Sequence, residues 1–386
     1  MGVMDRTAQL TLLSQDMHLE PDSTREEICR PVVRGKPVDI PISELQMPGG
    51  KRLKILKTLL TSACERNCYY CPFRAGRDMR RATFKPEEMA SVFMGMYRAK
   101  MVEGLFLSSG IAGGGVRTQD RLIDTADILR NKYHFRGYLH LKLMPGVEKD
   151  QVARAMELAS RLSVNLEAPN AKRLEALAPK KDFTGELVTP LKWAEEIRRE
   201  KSPHRSWNGR WPSTVTQFVV GAAGETDVEL LSTSEQLYDQ ARLGRVYYSA
   251  FSPVLDTPLE NLPAENPMRQ HRLYQSSFLL RDYGFTLEDL PFTSDGNLPL
   301  DRDPKVAWAE EHLAGAPVEL NTAGHAELLR VPGIGPRTAE RIARSRPQNK
   351  LTSLGDLQKL GIRTKPLAPF VLLNGRRPVR QMGLFD

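Results

Sequence analysis

Residues 55–78 read ILKTLLTSACERNCYYCPFRAGRD, and the rest of the chain is read outward from them. The apolar, β-branched run Ile55–Leu60 leads into a short loop, as a buried parallel strand does at its end. In that loop Cys64, Cys68 and Cys71 form a Cys-x3-Cys-x2-Cys array, with the aromatic Tyr70 before the last cysteine. Three thiolates cannot complete a tetrahedral zinc site without a fourth ligand. They can hold three irons of a cubane cluster and leave the fourth iron open. Structural zinc completed from elsewhere, or cysteines unrelated to metal, remain the alternatives at this point.

A chain of 386 residues allows two or three domains and a full-sized core. Of four cysteines, three belong to one motif, which leaves only Cys29 and excludes a disulfide framework. Cys29 alone reads as a small buried hydrophobe. This usage fits a reducing cytoplasm. No basic-then-apolar leader opens the sequence and no apolar run is long enough to span a bilayer, so we expect a soluble cytoplasmic protein with no membrane partner. The net charge of +8 is localised: residues 317–386 hold 12 Lys+Arg against 5 Asp+Glu, a net of +7. A basic module of that kind suits a polyanion or is a solvated face.

From Ile55 to about Pro253 apolar strands alternate with amphipathic helices. Expected strands are Ile55–Leu60, Gly104–Ser108, Gly137–Leu143, Ser163–Leu166, Thr214–Val220 and Arg245–Phe251. Expected helices are Pro86–Lys100, Thr118–Lys132, Lys149–Ala159 and Thr189–Arg199. Six strand–helix repeats predict an α/β fold, a partial (β/α)6 TIM-like barrel with parallel strands. Residues 1–50 form an N-terminal extension that opens with a helix at Thr7–Met17. The barrel covers 51–266, a helical cover and linker 267–316, an all-α module 317–375, and a free tail 376–386. Barrel chemistry belongs at the C-terminal strand ends. There lie Ser108, Ser109 and Gly110, then Asn165, Glu167 and Asn170 in VNLEAPN, then Gly221 and Glu225. Asn165 and Glu167 share one strand face by period-2 alternation. The basic run Arg74, Arg77, Arg80, Arg81 and Lys85 is either a phosphate clamp or a solvated face. Arg272, Tyr274, Arg281 and Tyr283 border a channel or pack in the core.

The cysteine loop resembles the radical S-adenosylmethionine (SAM) superfamily, whose signature is Cys-x3-Cys-x-aromatic-Cys after the first barrel strand. The resemblance implies a [4Fe–4S] cluster on Cys64, Cys68 and Cys71, and SAM on its fourth iron. It implies reductive cleavage of SAM to a 5′-deoxyadenosyl radical, with flavodoxin or ferredoxin as the kind of reductant. Tyr70, Ser108, Ser109, Gly110, Asn165, Glu167 and Gly221 are the matching SAM-binding positions. Where the superfamily has Gly-Gly-Glu this chain has Ser109-Gly110 and no glutamate, so backbone carbonyls and the Ser109 hydroxyl would substitute. YYSAFSPVLDTPLE resembles the barrel exit over the adenine.

Residues 317–346 contain VPGIGPR between two helical runs, Ala323–Arg330, capped by Asn321 or Thr322, and Arg337–Arg344. A Gly-Ile-Gly turn exposes amides at a helix N-terminus, a phosphate site. This resembles the helix-hairpin-helix motif, with Gly333, Gly335, Arg337 and Lys350 as nucleic-acid contacts. Leu354–Leu373 reads as a second, degenerate hairpin. Together, LKTLLTSAC…CYYCPFRAGRD, RLYQSSFLLRDYGF and VPGIGPR resemble radical-SAM proteins assigned to DNA modification or repair and encoded beside a uracil-DNA-glycosylase-like gene. The expectation is radical chemistry on a nucleotide in DNA. Structured RNA as substrate, or a non-catalytic DNA-binding iron–sulfur protein, are the alternatives. The last residues, QMGLFD, resemble the peptide that docks repair proteins on the sliding clamp through Gln381, Leu384 and Phe385.

Overall fold

The computed structural model describes residues 5–15, 17, 25–29, 32–33, 36–37, 40–47 and 50–378. The chain divides into two compact units, one of residues 1–225 and 236–265, the other of residues 226–235 and 266–386.

The first unit is built on an eight-stranded sheet. Helix α1 (Arg6–Ser14) precedes β1 (Arg25–Cys29), the short pair β2 (Val32–Val33) and β3 (Lys36–Pro37), and β4 (Ile40–Gln46). Then come β5 (Arg52–Leu59), β6 (Gly104–Ser108), β7 (Tyr138–Lys142), β8 (Arg161–Ser163), β9 (Ser213–Val220) and β10 (Arg245–Ala250). The sheet order is β1-β4-β5-β6-β7-β8-β9-β10. Strands β5 to β10 pair in parallel, each with the next, and β4 and β1 extend one edge antiparallel. This is the partial (β/α)6 barrel that the alternation predicts.

Helices α2 (Pro86–Arg98), α3 (Gly115–Asp127), α4 (Lys149–Leu158), α5 (Ala171–Glu175) and α6 (Thr189–Glu200) fill the connections. α2 packs on α3, α3 on α4 and α4 on α6, so helices cover one sheet face. They bury apolar stripes such as Met89, Ala90 and Phe93 of α2. Strand side chains alternate between faces. One row, including Leu56, Leu105, Leu141, Leu162, Phe218 and Tyr248, is fully buried and apolar. The opposite row carries Lys57, Phe106, His140, Lys142, Ser163 and Gln217, also buried. Register aligns Lys57 with Phe106 and Phe106 with His140, and His140 Nε2 lies 2.9 Å from Ser163 Oγ. The barrel interior is therefore polar where barrels usually pack branched apolar residues.

Three boundaries differ from expectation for local reasons. β4 lies in the Pro-punctuated extension that reads as loop, but Pro41 falls outside the Ile42–Gln46 stretch that pairs with β5. β8 stops at Ser163 because the Thr216 hydroxyl accepts from Leu166 N at 3.2 Å, in place of a ladder carbonyl. α3 gives way to a π-helical turn at Ile128–Lys132.

Helix α7 (Asp227–Ala241) precedes β10 in the chain. The second unit contains α8 (Pro267–Asp282), α9 (Pro304–His312), β11 (Val318–Glu319), α10 (His325–Arg330), α11 (Pro336–Ser345), α12 (Leu354–Lys359) and β12 (Val371–Leu372). β11 pairs in parallel with β12. Leu320, Leu328, Val331, Ile334, Ile342 and Leu357 belong to its core. The cap of α10 is Gly324, whose N–H donates to Glu327 Oε2 at 2.6 Å, and not Asn321 or Thr322. Asn321 instead bonds both main-chain groups of Leu351. After α12 the expected second helix is a single 3₁₀ turn, Ala368–Phe370, because Pro366 and Pro369 remove donors. Among the described residues no helix is long and apolar enough to cross a membrane.

Candidate functional site

At the C-terminal ends of the parallel strands the first unit encloses a cavity of about 180 Å³. A single buried water needs only ~10–15 Å³, so this space suits a larger ligand. Cys64, Cys68, Tyr70 and Cys71 line it, together with Ser108, Ser109, Gly110, Asn165 and Glu167. Gly221 is outside this lining.

The cysteine loop is held by its neighbours. Ile111 N donates to Cys64 Sγ at 3.5 Å, and Glu65 N to Ile111 O at 2.8 Å. Glu65 also accepts from Gly113 N and Gly114 N at 3.2 and 3.4 Å, so a carboxylate does meet the glycine loop, from the cysteine side. Gly110 lies so close that an added Cβ would sit 2.3 Å from Ala63 O. Ser109 Oγ donates to Gly110 O at 2.7 Å, which leaves only its lone pairs for a ligand. Burial raises the Cys68 thiol, against the pull of Lys181, and raises Cys71, whose neighbour Cys68 adds to the effect.

These residues fit a cluster. Thiols pushed up by burial become good thiolates only when a metal supplies positive charge. Among the described residues no three His, Cys, Asp or Glu side chains converge as a single ion needs. Cysteines that each take a different iron of one cubane surround the cluster and stand farther apart than ligands to a single ion, and these three line one cavity.

Glu167 anchors the other side of the site. It is buried, and its φ of 65° is one that a non-glycine residue adopts at a cost of ~1–3 kcal/mol. Its N–H donates to Gln217 O and its own carbonyl accepts from Val219 N, which fixes it to β9. Lys181 Nζ donates to Oε1 at 2.9 Å, while buried Oε2 has no partner. Burial works against the Lys181 ammonium, yet the Cys68 sulfur and Glu167 hold its pKa above the usual lysine value. Burial, then Glu167, raises the Tyr70 hydroxyl well above its ordinary range. Asn165 lines the same space and makes no hydrogen bond among the described residues.

Several expected residues serve elsewhere. Asn170 caps α5 by accepting from Arg173 N. Beside Gly221 the space for a Cβ is filled by Glu265, and Glu225 accepts from Gly221 N and Ala223 N. Arg81 grips carbonyls of Ser62, Phe73 and Arg74, and Arg77 bonds Pro72 O and pairs with Asp256. Arg74 donates to Asn67 O and stacks on Tyr69. These three arginines thus brace the cysteine loop, and only Arg80 and Lys85 of the run are exposed. Arg272 bonds Leu300 O, and Arg281 pairs with Asp282. The sequence reading missed Arg66, Lys142, Lys181, Gln217 and Ser249 in the cavity lining. For Lys142, Gln217 and Ser249 the signal was a polar residue inside an apolar strand run.

In the second unit Gly333 sits at φ 81° with Pro366 Cγ 2.7 Å from where a Cβ would be, so only glycine fits. Gly335 caps α11, and its Cβ would meet Tyr283 Oη at 2.9 Å. Buried Lys305 donates to Ile334 O at 2.6 Å from above the Tyr283 ring. Arg337 is exposed at this turn, and the Arg363–Pro366 segment, with exposed Arg363 and Lys365, lies against Gly333. Lys350 lies past the far end of α11, about 15 Å of helix from the turn. Asn374 N and Gly375 N bond Glu319. Gln381, Leu384 and Phe385 lie outside the described residues.

A family profile described as the helix-hairpin-helix motif matches residues 314–364. The chain carries this motif. No curated protein matches the chain. Among solved structures, the FeFe-hydrogenase maturase HydG from Carboxydothermus hydrogenoformans is similar at 14% identity, covering 59% of this chain and 51% of that one, with a TM-score of 0.47. Methylornithine synthase (PylB) is similar at 14% identity over 73% of this chain and 70% of that one, TM-score 0.47. The radical S-adenosylmethionine methyltransferase TsrM from Kitasatospora setae is similar at 12% identity over 56% and 39%, TM-score 0.39. The chain spans about half the length of the HydG maturases.

Proposed function

We propose that this chain is a radical-SAM enzyme that acts on a nucleotide in DNA, in modification or repair. The observation that carries the reading is the cavity itself, in which three cysteines of one loop share a lining with an orphaned buried carboxylate oxygen. In this reading Cys64, Cys68 and Cys71 each hold one iron of a [4Fe–4S] cluster. Ser108, Ser109, Gly110, Asn165 and Glu167, with Tyr70 beside the cluster, receive SAM. Glu167 Oε2 and Asn165 accept from its amino or ribose donors, and Lys181 holds the carboxylate in place through Oε1. When bound, the cluster and SAM supply a 5′-deoxyadenosyl radical that removes a hydrogen atom from the substrate. Flavodoxin or ferredoxin is the class of reductant.

The helix-hairpin-helix motif supports nucleic acid as the partner. Gly333 and Gly335 offer main-chain amides to a phosphate, and Arg337, Arg363 and Lys365 supply charge. Such a grip positions DNA without reading its sequence. Mass spectrometry of nucleosides from cells with and without the gene tests the substrate. A DNA nucleoside that differs between the two supports the reading; differences confined to RNA nucleosides would overturn it.

A further inference from the structure

We infer that Lys305 is the positioning residue of the hairpin's phosphate site: its ammonium, buried beneath the turn, aims and polarises the peptide group that presents Gly335 N–H to a phosphate. This rests on the reading that the Gly333–Gly335 turn meets nucleic acid.

The geometry comes from one peptide group. Lys305 Nζ donates to Ile334 O at 2.6 Å. The Ile334 carbonyl and the Gly335 N–H belong to the same trans peptide, whose two polar groups point in opposite directions. A carbonyl drawn toward Lys305 therefore turns the Gly335 N–H away from it. Ile334 N donates to Val331 O at 3.1 Å, whereas Gly333 N and Gly335 N meet no acceptor among the described residues. Gly335 is also the N-cap of α11, where the helix dipole favours an anion. Hydrogen bonds in series polarise one another, most strongly where water is scarce. A cation on the carbonyl side thus makes the N–H on the other side a stronger donor.

The surroundings hold the amine without an ion pair. Lys305 is 8% exposed and stands 4.6 Å from the centre of the Tyr283 ring. On its own helix, Asp303 accepts from Lys305 N and Val306 N at the cap and from Gln275. From α8, burial raises the Tyr283 hydroxyl, which stays neutral, and Asp282 pairs with Arg281. From α10, Arg330 pairs with Asp289. The turn Pro332–Pro336 has no ionisable side chain, and Arg363 and Lys365 belong to the segment against Gly333. A neutral donor would hold the carbonyl without the cost of a buried charge, so the ammonium does more than brace the turn. Burial brings its pKa down to about 7, with Asp303 working against the shift and Arg330 with it. Lys305 lines a cavity of about 650 Å³ with Gln275, Tyr283 and Gly335, which gives its proton a path to solvent.

A phosphate on Gly335 N–H stabilises the charged amine across the peptide, so the DNA-bound protein holds the proton more firmly than the free protein. Affinity is then full below about pH 7 and falls as pH rises through the free and bound pKa values.

The test is duplex binding by the full chain at fixed salt from pH 6 to 9, with calorimetry at pH 7.5 in buffers of different ionisation enthalpy. We expect affinity to fall about tenfold across the range, the bound protein holding the Lys305 proton about tenfold more tightly. Binding at pH 7.5 then takes up about half a proton. Lys305→Gln, which keeps a neutral donor, and Lys305→Met should both bind with the parent's high-pH affinity at every pH and lose that uptake. A flat parent profile without uptake, or variants that keep the parent's slope, would overturn the inference. Gly335→Val separates the two readings. If it weakens binding while the Lys305 variants match the parent at every pH, the hairpin reading stands and this inference fails. If it binds as the parent does, or the chain binds no duplex, the hairpin reading fails and takes the inference with it.

Discussion

Replacing Arg81 by Met should open the cysteine loop without weakening DNA binding. The guanidinium donates to Ser62 O at 2.5 Å, Phe73 O at 2.7 Å and Arg74 O at 2.8 Å, and so ties the start of the loop to its end. Hydrogen bonds from a charged group contribute ~1.5–3 kcal/mol each. Three on one side chain do not add in full, so the expected loss is ~4 kcal/mol. That loss raises the population of open loop about 10³-fold. Cys68 is buried in the closed loop, so its alkylation in metal-free, full-length protein reads the open population directly. We expect labelling of Cys68 about 10³-fold faster in Arg81→Met. Arg81→Lys should recover little of the loss, because a compact ammonium cannot span three carbonyls. Unchanged labelling together with weakened DNA binding would refute the structural role and restore the phosphate-clamp reading.

Lys181→Met leaves the Glu167 carboxylate buried without its cation, a loss of ~3–5 kcal/mol. Thermal unfolding should fall by about 10 °C and recover partly in the Glu167→Gln, Lys181→Met pair; a single variant as stable as the parent would contradict this. Gly335→Val forces the hairpin turn off Tyr283 and should weaken DNA binding about tenfold, with a salt slope shallower by about one. Unchanged affinity at every salt concentration would show that the turn does not meet phosphate. Burial pushes the Lys305 ammonium down to about 7, with Asp303 pulling the other way. The unfolded chain, with an ordinary lysine pKa of ~10.4, then binds more protons between pH 7 and 10, so stability rises with pH across that window. Melting temperatures from pH 6.5 to 9 should climb in the parent relative to Lys305→Met; parallel profiles would count against the buried amine.

The barrel was legible because its strands are buried on both faces, and runs such as Gly104–Ser108 announce themselves by apolarity alone. The cysteine loop was legible from spacing. What surrounds it was not, since Arg81 and Lys181 lie in runs that look solvated. Lys181 reaches Glu167 only because the chain returns through Leu177, whose carbonyl accepts from Tyr69 N. Glu167 itself was found by strand alternation, but its left-handed backbone and unpaired oxygen depend on Thr216 and Gln217, some fifty residues away. Lys350 looked close to the hairpin in sequence, and α11 carries it to the far end. For Arg81, Lys181 and Glu167 the missing term was a hydrogen bond between segments apart in sequence, which periodicity does not encode; for Lys350 it was the length of the intervening helix.

The most direct measurement is anaerobic incubation of the reconstituted protein with SAM and dithionite, followed by quantitation of 5′-deoxyadenosine. The parent should form it, and Cys68→Ala, folded to the same melting temperature within a few degrees, should form none. A reducible cluster that never cleaves SAM, or full cleavage by Cys68→Ala, would contradict the account.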